Sequence, residues 1–139
     1  MELMKLALNR RTDLALLAMR HLSRQEEPLS GAALAEATGT TVTFLPQVMA
    51  PLIKGGWVAS DRGPGGGYRL TEQARHAHLL DVIEATEGSS EDGRCVMRDG
   101  PCPGTPSCPI HAVWMEARQV LMDGFRGIPA YSVTEGSRR

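Results

Sequence analysis

SGAALAEATGTTVTFLPQVMAPLIKGGWVASDRGPGGGYRL, residues 30–70, holds two short apolar periodicities followed by a glycine-rich turn. Ser30 suits the N-cap of a helix over 31–38, because its side-chain oxygen can accept a backbone N–H of the first turn. Ala33, Leu34 and Ala37 share one face of that helix, and Gly39 supplies the positive φ that ends it. A second helix follows almost at once, capped by Thr41 or Thr43. Phe44, Leu45, Val48, Met49, Leu52 and Ile53 recur along it at three- and four-residue intervals up to Gly55 and Gly56. Two short helices joined by a tight glycine turn make a helix-turn-helix unit. Beyond it lie two β-prone runs, 57–60 and 68–70, around a turn of four glycines and a proline. That turn does not cradle a phosphate: no Lys-Ser/Thr pair follows Gly67, and a strand rather than a helix comes next. A hairpin after a helix-turn-helix is a wing, and Arg62 at its base is placed to reach a minor groove or phosphates.

The flanks extend the pattern. Leu14, Leu17, Ala18, His21 and Leu22 predict an amphipathic helix over 12–24 with Arg20 and Arg24 outside, which EEPLS then breaks. Leu79, Leu80, Val82 and Ile83 predict another over 78–86. From Pro109 a long helix is expected to about residue 124, with Val113, Ala117, Val120 and Leu121 on one stripe and Trp114 beside it. Proline at its first position would make Cys108 the N-cap. So apolar a helix at the end of a small domain needs a partner, and a second copy of itself is the simplest one. The expected fold is mainly α with a small β-wing. Residues 1–88 form a winged helix-turn-helix domain, 89–108 a cysteine-rich loop, 109–130 a dimerisation helix and 131–139 a flexible tail.

Composition excludes several classes. With 139 residues and 42% hydrophobic content, one soluble domain is expected. The longest apolar run, 14–19, is far below the roughly 20 residues of a membrane helix. MELMKLALNRR has no signal-peptide core, so the expected location is the cytoplasm. Three cysteines in a reducing compartment point to metal or redox chemistry rather than a disulfide framework. The net charge of −1 conceals a difference between halves: residues 1–70 carry eight Lys/Arg against six Asp/Glu, and residues 71–139 seven against ten. An excess of two positive charges is a weak nucleic-acid footprint. No paired carboxylates, nucleophile–base pair or nucleotide loop is present, so no enzyme is expected.

All three cysteines fall in RCVMRDGPCPGTPSCPIH, residues 94–111, as Cys95-x6-Cys102-x5-Cys108-x2-His111. Four prolines stiffen this stretch, and it has almost no hydrophobic residues of its own, so something else must tie it. Structural zinc usually takes Cys-x2-4-Cys knuckles, whereas gaps of six and five residues suit a larger object such as an iron-sulfur cluster. His111, three residues after Cys108, is placed to reach the same metal. The plainer alternative is a histidine packed at a helix start with three thiols nearby.

RGPGGGYRL in the wing, TFLPQVMAPLIKGGWV before it, LLDVIEATEG after it and the cysteine triad resemble the Rrf-type winged-helix iron-sulfur regulators, over residues 6–133. The resemblance implies a homodimer on a palindromic operator in double-stranded DNA, with a cluster held by Cys95, Cys102 and Cys108. CPIHAVW looks most like the branch of the iron-sulfur cluster regulator IscR, in which the matching histidine, here His111, is the fourth ligand of a 2Fe-2S cluster. The nitric-oxide-sensitive branch instead completes a 4Fe-4S cluster with an aspartate from the partner subunit, and Asp13 stands at that place. Both candidates are present, with His111 and 2Fe-2S the favoured reading. The same match implies that Thr41, Thr43, Phe44 and Gln47 face the major groove, with Arg62 in the wing. Gln47 can bond adenine bidentately, while core packing is the alternative for Phe44. The chain departs from IscR-like proteins at Pro46, where they carry glutamate, and at Pro51, which removes an interior helix bond and predicts a kink. The expected function is a DNA-binding regulator, a repressor, that senses iron, redox or nitrosative state. The alternative is a zinc-stabilised or cluster-free winged-helix module without a sensing role.

Overall fold

A computed structural model of the chain describes residues 8–88, 93, 100–104 and 106–132. The elements run α1 (Arg10–Ser23), α2 (Gly31–Thr38), α3 (Leu45–Lys54), β1 (Val58–Asp61), β2 (Gly67–Leu70), a 3-10 turn (Glu72–His76), α4 (Leu79–Glu87), α5 (His111–Arg126) and a second 3-10 turn (Ala130–Ser132). The strands pair antiparallel, Val58 opposite Leu70 and Asp61 opposite Gly67. This is the winged helix that the periodicities predict. No described helix is long and apolar enough to cross a membrane.

Helix α1 starts two residues before the expected position, because Asn9 caps it: the Asn9 side chain accepts the Thr12 N–H at 2.9 Å. It is packed by α2, α3, α4 and the C-terminal 3-10 turn. Being covered on several sides, it buries every residue from Leu14 to Met19, which is why the run there reads as continuously apolar. Helices α2 and α3 both end in Schellman motifs. Thr40 N–H bonds Ala35 O and Gly39 N–H bonds Glu36 O; Trp57 N–H bonds Leu52 O and Gly56 N–H bonds Ile53 O. Gly39 and Gly56 take the left-handed φ that these motifs require. Leu34, Leu45, Val48, Met49 and Leu52 close the core between these helices and α1. Each large apolar side chain buried this way contributes about 1.5–3 kcal/mol. Pro51 deprives the Gln47 carbonyl of its i+4 donor, yet α3 runs past it to Lys54.

Two features were not apparent in the sequence. The segment after EEP is a third strand in miniature: Leu29 N–H bonds Tyr68 O at 3.0 Å and Tyr68 N–H bonds Leu29 O at 2.7 Å. The chain also returns to the winged domain after α5. Leu79 N–H bonds Ile128 O at 2.7 Å, Ala130 N–H bonds Ala77 O at 3.0 Å, and Ala130 is fully buried. Tyr131 packs against the core, and Arg20 Nη1 donates to Ser132 O at 3.2 Å. Residues 133–139, the rest of the expected tail, lie outside the described residues.

The long helix begins at His111, later than the expected Pro109, and Cys108 is not its N-cap. The Cys108 N–H is committed to Gly104 O at 2.7 Å, and Ile110 sits at φ −110°, ψ 4°. Regular helical bonding therefore starts with Trp114 N–H to Ile110 O, at 2.8 Å. Once begun, α5 buries none of its residues within the chain.

Candidate nucleic-acid interface and metal centre

Thr41, Val42 and Thr43 form an exposed turn ahead of α3. Thr41 Oγ1 accepts the Phe44 N–H at 3.0 Å, which caps the turn and leaves the hydroxyl hydrogen to donate outward. Phe44 is half-buried and packs against the core, so one side of its ring anchors the start of the helix. Thr43, Gln47, Ala50 and Lys54 are all exposed. Their spacing places them on the face opposite Leu45, Val48, Met49 and Leu52. Lys54 was missed in the sequence reading, although it is the only charged side chain between Glu36 and Asp61. Arg62 is exposed directly after β1. The carboxylate beside it, Asp61, is taken up by Arg69 across the hairpin at 3.0 Å. That ion pair is half-exposed and adds little stability, but it offsets the one negative charge of the wing. The helix face and the wing thus offer hydroxyls, an amide and two cations toward solvent.

The second site lies where the chain enters α5. Cys102 Sγ stands 3.3 Å from His111 Nδ1, a thiol and an imidazole nine residues apart brought into direct contact. Two backbone bonds arrange this: Cys102 N–H to Gly93 O at 2.9 Å, and the turn closed by Cys108 N–H on Gly104 O. Gly104 takes a φ of 75°, which a side chain would disfavour. Cys108 is only 4% exposed and lies three residues before His111, whose N–H reaches Cys108 O at 3.4 Å. Cys95 lies outside the described residues. Among the described residues no three His, Cys, Asp or Glu side chains gather tightly enough to hold a metal ion. The donor chemistry nevertheless suits iron, since thiolates and a neutral imidazole are its usual protein ligands in sulfide clusters.

Asp13 sits half-buried in the first turn of α1, its N–H on Asn9 O at 3.1 Å. Its neighbour Thr12 is fully buried in a clasp between the start of α1 and the end of α4, the helix from which the cysteine loop departs. Thr12 Oγ1 donates to Glu87 Oε2 at 2.5 Å and stands 2.6 Å from Thr86 Oγ1, while Arg11 Nη2 donates to Thr86 O at 3.0 Å. A threonine pair at such distant positions left no signal in the sequence, because threonine inside a helix ordinarily bonds its own backbone.

A family model described as Rrf2, iron-dependent transcriptional regulator, matches residues 8–131. Among curated proteins, the HTH-type transcriptional regulator IscR of Pectobacterium carotovorum is 36% identical over 107 residues, 77% of this chain and 65% of the relative. IscR of Photorhabdus laumondii is 39% identical over 95 residues, 68% of this chain and 57% of the relative. The chain therefore spans less than two thirds of the length of these relatives. Among solved structures, that of CymR, the global cysteine regulator of B. subtilis, superposes with a TM-score of 0.74 at 23% identity over 94% of this chain and all of that one, a likeness of fold. T. potens IscR superposes with a TM-score of 0.68 at 25% identity, over 96% of this chain and 93% of that one. These relatives are regulators, not enzymes.

Proposed function

The chain belongs to the Rrf2 family of transcriptional regulators, and we propose that it is a homodimeric DNA-binding repressor that senses iron, redox or nitrosative state through an iron-sulfur cluster. The observation that carries the sensing reading is the contact between Cys102 Sγ and His111 Nδ1. A thiol and an imidazole held together by loop geometry, with buried Cys108 between them in the chain, are a partial ligand set within a single chain. Cys95 completes three thiolates in this reading. A cluster bound there supplies one-electron redox chemistry and a centre that nitric oxide or oxygen can attack.

The chain's own residues do the rest. His111 opens α5, and its ring must be neutral to ligate. Helix α5 emerges from the same turn with Val113 and Val120 70% and 69% exposed, an apolar face that a second copy would cover. On the DNA side, Thr41, Thr43, Phe44 and Gln47 meet base edges in the major groove of each half-site of a palindromic operator, and Arg62 contacts the backbone or minor groove. Phe44 does so with the ring edge left open by its core packing. The cluster can change DNA affinity only by binding two arrangements of the loop and helix unequally. Action on DNA implies a cytoplasmic location.

The fourth ligand tests this reading. His111 needs no second chain, whereas Asp13 requires one, and a carboxylate in the first turn of a helix is also explained by the helix dipole. This favours a 2Fe-2S cluster over a 4Fe-4S cluster. Anaerobic reconstitution of His111→Ala and Asp13→Ala, read by Mössbauer spectroscopy, should show the cluster lost or converted in the first and retained in the second. The reverse pattern would move the protein to a 4Fe-4S cluster with a cross-subunit ligand. A colourless protein with stoichiometric zinc would leave only a zinc-stabilised module.

A further inference from the structure

The recognition surface has an apolar edge that core packing does not use. Val42 is 59% exposed and Ile53 41% exposed, and Pro46 between them is exposed as well. Leu45 N–H bonds Thr41 O at 3.0 Å, so the turn bearing Val42 already winds as the helix does. Positions 42, 46 and 53 then line one flank of α3, beside the face that carries Thr43, Gln47 and Lys54. No carboxylate stands between Glu36 and Asp61 to accept from a cytosine amine, and no arginine to pair with guanine. Within α3 itself Gln47 is the only amide, so hydrogen-bonded readout has few agents. A major groove presents one apolar group, the C5-methyl of thymine. Exposed apolar atoms at the leading end of a recognition helix gain most where that methyl meets them.

We propose that Val42 is a specificity-determining residue that reads a thymine methyl in each operator half-site, with Pro46 extending the same apolar edge. The proposal rests on the DNA-binding reading above and names the base chemistry it selects. Duplexes are selected from a random pool with the full, anaerobically purified protein at fixed salt. Each thymine of the selected half-site is then replaced by uracil, which lacks only the methyl. One replacement should weaken wild-type binding about three- to fivefold, the worth of one methyl contact. Val42→Ser should lose the same factor on the original duplex and become indifferent to that replacement, with binding to unselected DNA unchanged. Val42 is exposed, so the substitution leaves the core intact. A wild-type protein indifferent to every uracil, or a Val42→Ser variant still sensitive to the same one, overturns the proposal alone. Failure to enrich any duplex overturns the DNA-binding reading and the proposal together.

Discussion

The amide and the two cations of the proposed DNA surface differ in what they carry, and removing the amide should fail differently from removing either cation. Gln47 is an exposed amide on the outer face of α3. Gln47→Ala should cost roughly 1–3 kcal/mol at one base pair of each half-site and nothing elsewhere, measured as binding to a set of single-base operator variants. An equal loss on every sequence would mean that Gln47 does not read bases. Arg62 and Lys54 are exposed cations. Arg62→Ala or Lys54→Ala should weaken all duplexes alike and reduce the slope of log K against log salt by about one. An unchanged slope removes that residue from the phosphate contacts. Within the protein, Thr12→Val keeps the shape of a buried side chain but removes its bonds to Glu87 and Thr86. Urea denaturation should show a loss of about 0.5–1.5 kcal/mol, the net worth of the lost bonding, because the Thr86 hydroxyl still donates to Val82 O and the Glu87 carboxylate is open to water.

The elements show why some of this was legible and some was not. Helix α2, its Ser30 cap and its Gly39 end follow from residues within one turn of each other, and local chemistry needs no tertiary help. The wing follows likewise from strand-prone runs around glycine. What escaped was contact between distant segments. Leu29 pairs with Tyr68 across thirty-nine positions, and nothing in EEPLS announces a strand partner. The role of Gly67 is clear only with that pairing in view. At φ 143° a β-carbon there would collide with the Leu29 carbonyl oxygen. Gly67→Ala should therefore loosen the wing from the α1–α2 connection at a cost of about 1–3 kcal/mol, lowering Tm. A variant as stable as the wild type would mean that the pairing is dispensable. The candidate metal ligands were legible as a set of residue types, and the Cys102–His111 contact brings two of them together. The late start of α5 was not legible, since Pro109 reads as a first helical residue until the Cys108 N–H is seen bonded to Gly104.

For the whole molecule, α5 is the element that a single chain leaves unfinished. It buries none of its own residues, while the two segments that follow it are tied back to α4 and α1. Val113→Glu with Val120→Glu should leave the winged domain folded by circular dichroism and yield a monomer in sedimentation. Persistence of the dimer would place its interface elsewhere. The loop carrying Cys102 and Cys108 joins this helix to the winged domain, so in the proposed dimer a cluster held there would couple to the spacing of two recognition helices on DNA. The most direct measurement is the affinity of one selected operator for the anaerobically purified protein before and after cluster removal, at a single salt concentration. Sensing predicts at least about a tenfold difference, roughly 1.4 kcal/mol of coupling between cluster and DNA. Equal affinity of both forms, on that operator and on every other duplex, would contradict it.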